Sequence, residues 1–238
     1  PMSGNIEVQL VATPAHAAVA SALFDEVWAA TSMVAPEVIV AALHSGGYCA
    51  LARLNGDVVG ASFALATNSG ILHSHVTGVS KDHAGGGIGT QLKLHQWFWA
   101  QAHGYRAISW TFDPLVRRNA WFNLVKLGAD VVSYHEDFYG ELTDAINAGE
   151  HSDRLLVHWR VSAAGTPKPG AFVVAKGDDV VVPTPPDIEA LRREDRNSAL
   201  QWRSRQRELF VLLSQPDARI RGLNGGYDYV ISVANDKM

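Results

Sequence analysis

Val79-Ser80-Lys81-Asp82-His83-Ala84-Gly85-Gly86-Gly87-Ile88-Gly89-Thr90-Gln91-Leu92 follows an apolar run and opens a helical pattern. Consecutive glycines let a chain turn several N–H groups towards one point, and a helix N-terminus adds partial positive charge there. That combination holds a phosphate without a basic side chain. The dinucleotide-binding pattern G-x-G-x-x-G fails, because Thr90 stands where its last glycine belongs. The P-loop fails for want of Gly-Lys-Ser/Thr. On the glycines alone, a phosphate cradle and a plain strand-to-helix turn both stand.

Upstream, Ile71 to Val79 is the third of three consecutive strands. The first two, Tyr48 to Leu54 and Val58 to Thr67, are joined by Asn55-Gly56-Asp57, a strong hairpin signal; Asn68-Ser69-Gly70 makes the next turn. Before them, Ile6, Val8 and Leu10 alternate as a strand. Thr13-Pro14 starts a helix with Val19, Leu23 and Val27 on one face, and a second helix runs from Pro36 to Gly46-Gly47. Downstream, the helix from the Gly-rich loop reaches about Ala102, with Gly104 past its end. Ala107 to Phe112 is a strand, Arg117 to Leu127 a helix closed by Gly128, and Val131 to Phe138 and Arg154 to Val161 are strands. The order β-α-α-β-β-β-α-β-α-β-β predicts an α/β or α+β class with a mixed sheet.

Composition shifts at Ala163-Ala164-Gly165-Thr166-Pro167-Lys168-Pro169-Gly170, read as a linker between a core at 5–162 and an extension at 163–238 packed on it. In the extension, Phe172 to Val182 reads as a hairpin turning at Gly177-Asp178-Asp179, and Asp187 as a helix cap. A helix from about Ser198 to Leu213 carries Trp202, Leu209, Phe210 and Leu213 on one face. A second hairpin, Arg219 to Leu223 and Tyr227 to Val233, turns at Asn224-Gly225-Gly226.

The 238 residues carry a net charge of −4, are 47% hydrophobic and only 18% charged, so a globular core is expected and wholesale disorder is not. Mild acidity argues against nucleic acid as the main partner. A single cysteine, Cys49, excludes a disulfide framework. No apolar run approaches the ~20 residues of a membrane span, and Pro1-Met2-Ser3-Gly4 lacks a signal-peptide pattern. The expectation is a cytoplasmic protein with no membrane association.

The loop resembles the pyrophosphate loop of the GNAT acyltransferases, Arg/Gln-x-x-Gly-x-Gly/Ala: Gly87 and Gly89 match its last two fixed positions, and Ala84 replaces the Arg/Gln. The element order over residues 5–161 is also that of the GNAT fold. Further stretches (His73 to Val79, Trp110 to Leu115, Arg118-Asn119-Ala120, Asn123 to Ala129, Phe138-Tyr139-Gly140 and Ser152 to Leu155) resemble a little-characterised bacterial subgroup with a C-terminal extension. Some members of that subgroup acylate amino acids. The resemblance implies a mostly antiparallel sheet flanked by helices and acetyl-CoA or another acyl-CoA as co-substrate. It implies coenzyme contacts at Thr77, Val79, Gly85, Gly86, Gly87, Ile88, Gly89 and Thr90, with Asn119 near the pantetheine arm. It also implies that the strand before the loop splays from its neighbour near Val79, leaving a backbone N–H for the thioester carbonyl.

Five of the ten histidines fall between His73 and His103, and His73 and His75 share a strand face. A metal site would need a third ligand that the sequence does not single out, so none is expected. Core hydrogen bonding and proton transfer both remain open for the pair. The resemblance places His73 where histone-acetylating relatives carry a glutamate base, with His75 as its rival; imidazole suits that work near neutrality. An even spacing from Val79 puts His73 on the same face as Val79. Leu124 stands where GNAT enzymes commonly place a tyrosine acid. Asp113-Pro114 reads as a turn and Cys49 as a buried hydrophobe. Tyr139 reads as packing or as lining an acceptor pocket. The Arg-rich C-terminal helix reads as a solvated face or, through Arg203 or Arg207, as a grip on an acceptor carboxylate.

These readings converge on a CoA-dependent N-acyltransferase with an acetyl or succinyl donor and a small, amino-acid-like amine acceptor, working by direct transfer in a ternary complex. The alternative is a non-catalytic acyl-CoA-binding or partner-binding module on the same scaffold.

Overall fold

The elements expected over residues 5–110 form in the order read in the computed structural model, which describes residues 5–140 and 151–233. The readings of Pro1–Gly4, and of the extension past residue 233, lie outside the described residues. Two units separate by contact. The first holds residues 5–110 and Arg160–Pro167; the second holds 111–140, 151–159 and 168–233.

The first unit contains β1 (Ile6–Leu10), α1 (Pro14–Trp28), α2 (Pro36–His44), β2 (Tyr48–Leu54), β3 (Asp57–Ala66), β4 (Ile71–Val79), α3 (Ile88–Ala102) and the start of β5 (Ala107–Phe112). These strands lie in the order β1-β2-β3-β4-β5, antiparallel from β1 to β4 and parallel between β4 and β5. This is the mixed, mostly antiparallel sheet with flanking helices. Thr13 caps α1 by accepting from His16 N–H at 3.2 Å. The buried stripe of α1 runs through Ala17, Ala20, Leu23 and Phe24, while Val19 is exposed; small alanines seat the helix closely against the sheet. One face of the sheet packs α1 and α2 through Phe24, Ile39, Leu51, Ala61, Phe63 and Val76. The other packs α3 through Ile88 and Leu92 against Ala52, Leu54 and Val59.

In the second unit, α4 (Arg117–Ala120) runs into a π-helix, Trp121–Lys126. There β6 (Asp130–His135) pairs antiparallel with β7 (Arg154–Arg160). A second sheet has the order β8 (Val180–Val182), β10 (Tyr229–Ser232), β9 (Arg219–Leu223), and the helices are α5 (Ile188–Glu194) and α6 (Arg196–Phe210). Asp187 caps α5 by accepting from Ala190 N–H, and β9 and β10 form the expected hairpin. The hairpin expected over Phe172 to Val182 does not form. Only Val180–Val182 is strand, and its partner is β10; Val173 N–H bonds Leu223 C=O instead. Lys168–Gly170 crosses the end of the π-helix, where a Cβ on Gly170 would collide with the Leu124 carbonyl. On α6 the buried line is Ala199, Arg203, Gln206 and Phe210, with Trp202 and Leu209 only half-buried, as is Leu213 in the turn that follows. Polar residues therefore occupy the face that an apolar reading of α6 misses.

Candidate active site

Strand β4 is paired on both sides only at its start. Its parallel pairing with β5 covers Ile71↔Ala107, Leu72↔Ile108 and His73↔Ser109, and stops there. From Ser74 to Val79 the β5-side edge has no strand partner among the described residues. Ser80 N–H donates to Val59 C=O on β3, at 2.9 Å. Backbone polarity alternates along a strand, so the N–H groups of Thr77 and Val79 point towards the open edge.

The pairing of β3 with β4 contains a bulge. Gly60↔Val79, Ser62↔Thr77 and Phe63↔Val76 are followed by Ala64↔Ser74, leaving His75 as an extra residue. The bulge inverts the face phase along β4. Thr77 hydroxyl lies 2.8 Å from Ser62 Oγ, and Val79 packs with Ile88 and Leu92, both on the α3 side. Ser74 is on that side too, accepting from Lys93 Nζ at 2.8 Å. A Cβ on Gly78 would meet Trp28 of α1, on the opposite side. His73 and His75 remain together there, with ring centroids 6.4 Å apart, and His75 meets the Phe63 ring edge-on at 6.2 Å. The even-spacing argument that set His73 and Val79 on one face is thus corrected.

Past Val79, a short turn at Lys81–His83 leads into the glycines. Gly85 and Gly87 have φ of 81° and 84°, a left-handed conformation that favours glycine. Gly87 caps α3, and its carbonyl already accepts from Thr90 and Gln91. Among the described residues the N–H groups of Gly85, Gly87, Ile88 and Gly89 have no acceptor, and residues 84–87 are exposed. Four free donors at the start of a 15-residue helix suit a pyrophosphate.

Of the two histidines, His73 is half-buried with Nδ1 3.2 Å from Ser109 Oγ, whereas His75 is covered on one side by Phe63 and open to solvent on the other. Burial holds both below the usual imidazole value, and for His73 the charges of His75 and Lys93 add to it. The lowered pKa favours the neutral, proton-accepting form of both. Lys93, buried on α3, rests 3.8 Å from the Trp110 ring centroid, and burial lowers it to about 7. From it a polar chain runs through Gln96 and Ser62 to Thr77. Sequence reasoning passed over Lys93; its signal was a lysine on the apolar stripe of α3, one residue after Leu92. Among the described residues, no group of three His, Cys, Asp or Glu side chains could hold a metal.

The remaining expected site residues lie in the second unit, apart from Cys49, which is buried in β2 with its thiol pushed up to about 12 by burial. Asn119 is half-buried on α4, and Leu124 is buried in the π-helix. Tyr139 is 46% exposed, with its hydroxyl 3.1 Å from Thr111 Oγ1. Arg203, 3% exposed, donates to Asp113 at 2.8 Å, and Arg192 reaches the same oxygen at 2.6 Å. Arg207 grips Asp153 through two bonds, at 2.8 and 2.6 Å, and Tyr134 donates to that carboxylate as well. Arg203 and Arg207 are thus engaged by carboxylates of the chain itself.

No family model matches the sequence, and no curated protein does. Solved structures match its fold. The ribosomal-protein-S18-alanine N-acetyltransferase from Escherichia coli is 13% identical, with a TM-score of 0.55, over 68% of this chain and 97% of its own. A putative acetyltransferase from Salmonella typhimurium, solved with its cofactor acetyl-CoA, is 15% identical, with a TM-score of 0.54, over 69% and 98%. A GNAT family acetyltransferase from Elizabethkingia anophelis with acetyl-CoA bound is 18% identical, with a TM-score of 0.51, over 66% and 98%. This chain has the GNAT fold. Within it, the departure of β4 from β5 begins at His73, six residues before the expected point near Val79. The open edge is correspondingly long, and both histidines stand at its root. No helix among the described residues is long and apolar enough to cross a membrane.

Proposed function

We propose that the protein is an acyl-CoA-dependent N-acyltransferase, with an acetyl or succinyl donor and a small, amino-acid-like amine as acceptor. The observation that carries this reading is the open β4 edge running directly into the glycine loop. Thr77 and Val79 offer N–H groups along one line, and four more free donors wait at the start of α3. The amides of 85–89 would hold the pyrophosphate and the β4 edge the pantetheine arm. An acyl-CoA supplies an activated carbonyl. Val79 N–H would bind the carbonyl oxygen, where negative charge builds during attack, and a fixed donor there costs no reorganisation.

The acceptor ammonium must lose one proton to attack and a second as the amide forms. His75 is the group we assign to take a proton, because it is neutral and exposed while His73 is bonded to Ser109. It stands four residues from Val79, about 13 Å along an extended strand, so the proton passes through water. The departing thiol, with a pKa of about 8.5, leaves as thiolate and, with the acceptor's second proton, equilibrates with solvent. Buried Cys49, held protonated, offers no covalent route, so transfer is direct.

Free-thiol release from acetyl-CoA and succinyl-CoA, measured over a panel of amino acids and simple amines, tests this reading. Amine-dependent release supports it. Coenzyme binding without release for any pair favours the non-catalytic module, and absence of coenzyme binding removes both.

A further inference from the structure

Arg154 opens β7 in a neighbourhood whose buried carboxylates are already committed. Asp113 is held by Arg192 and Arg203, and Asp153 by both arms of Arg207. Among the described residues Arg154 has no carboxylate in ion-pair range. Its Nη1 donates to the Asp153 backbone carbonyl at 2.9 Å, and its guanidinium carbon lies 5.5 Å from the centroid of the Tyr139 ring. The edge formed by Nε and Nη2 bonds no described residue. That edge is the one through which a guanidinium takes a carboxylate in two parallel bonds. The side chain is half-buried. Burial is the main force against its charge, and Arg203 and Arg192 add to it, against Asp113 and Tyr139. An arriving anion would relieve that repulsion in a partly desolvated setting, where the attraction exceeds that at an open surface.

We propose that the Nε–Nη2 edge of Arg154, with Tyr139 against the guanidinium face, seats a substrate carboxylate. Two sources share this chemistry: the carboxylate of an amino-acid acceptor, and the terminal carboxylate of a dicarboxylic acyl group. That the anion is a substrate's rests on the acyltransferase reading. The tyrosine hydroxyl, beside Thr111, sets a second polar group at the rim. The assignment places carboxylate recognition on a residue other than Arg203 and Arg207, whose forks face internal acids.

The test has one arm without turnover and one with it. In the first, the Arg154 Nε–Hε signal is followed by nuclear magnetic resonance in the full chain, assigned by its loss in Arg154→Lys. Succinate, and each of the twenty common amino acids, is titrated against the corresponding amide. A shift with an amino acid assigns the seat to the acceptor, and a shift with succinate assigns it to the acyl group. No shift with any carboxylate, or equal shifts with the amides, overturns the proposal. In the second arm, Arg154→Gln should raise the KM of the carboxylate-bearing substrate at least tenfold while kcat and CoA affinity hold, with Arg154→Lys in between. Equal losses in kcat, KM and thermal stability would mark a merely structural arginine. Absence of turnover in the wild type would sink the acyltransferase reading, and the first arm would still decide the seat.

Discussion

His73 and Ser109 face each other across the last rung of the β4–β5 pairing, with Nδ1 of the imidazole 3.2 Å from the hydroxyl. The open edge of the site begins just beyond that rung. The Ser74 hydroxyl that accepts from Lys93, the bulge at His75, and the amides of Thr77 and Val79 all lie within the six residues Ser74 to Val79. One strand thus supplies a closed root and an open edge.

That root predicts different roles for two neighbouring histidines. His75→Ala should lower turnover about 10²-fold with coenzyme affinity intact, the usual size of a lost general base. His73→Ala should lower it by about tenfold or less. Because burial lowers the His75 pKa from 6.5, the neutral base persists below that value, and activity should fall only as pH drops through the lowered pKa. This acidic limb should vanish in His75→Ala. Should His73→Ala instead abolish the limb, the base is His73.

The loop gives a cleaner test at Gly89 than at Gly87. Any side chain at Gly87 is strained by its φ of 84°. Gly89 is helical, and a Cβ there meets only Val79 Cγ2 at an ordinary 3.8 Å. A carboxylate in the first turn of α3 favours the helix yet repels an anion. Gly89→Glu should therefore fold with thermal stability kept or raised and lose at least tenfold in CoA affinity, about 1.4 kcal/mol. Unchanged affinity by calorimetry would remove the loop from the coenzyme site.

Lys93 predicts a pH dependence of stability. Its ordinary pKa is 10.5 and its folded value about 7. Between those values the unfolded chain holds a proton that the folded chain has released. Stability attributable to this group therefore rises with pH from about 7 to about 10.5. Urea unfolding should show a steeper rise in the wild type than in Lys93→Met, by up to ~1.4 kcal/mol per pH unit. Parallel slopes would mean that the ammonium keeps its proton over the Trp110 ring.

Local signals made most of the fold legible. Asn55-Gly56, Thr13-Pro14, Gly104 and Gly128 bound their elements because turn and cap chemistry acts between near neighbours. The His75 bulge was not legible: one inserted residue leaves the polar and apolar alternation of His73 to Thr77 looking regular, and only pairing with β3 reveals the shift. Nor was the buried face of α6. Arg203 is tolerated there because Asp113, 90 positions earlier, meets it, and half-buried Arg207 lies beside that face because Asp153, 54 positions away, meets it. Hydropathy counts such arginines as solvent-facing when their partners are remote. The carboxylate edge of Arg154 is invisible for the same reason, since its neighbours' commitments define it.

The crossing of Lys168–Gly170 over the π-helix predicts a sharp steric limit. Gly170 needs no unusual φ, so its requirement is space: a Cβ would collide with the Leu124 carbonyl and meet Gly128 Cα at 3.2 Å. Both obstacles are backbone, and Gly128, at φ 74°, already closes the helix. Neither can turn aside as a side chain would, so relief requires moving the segment bodily. Gly170→Ala should destabilise the second unit by about 3 kcal/mol, the upper part of the range for overpacked sites. Gly225→Ala is the control, since a Cβ there meets nothing within 4 Å. It should change stability by less than about 0.5 kcal/mol. Thermal unfolding of both variants decides the matter: equal midpoints would mean that the chain crosses the helix more loosely than this contact requires.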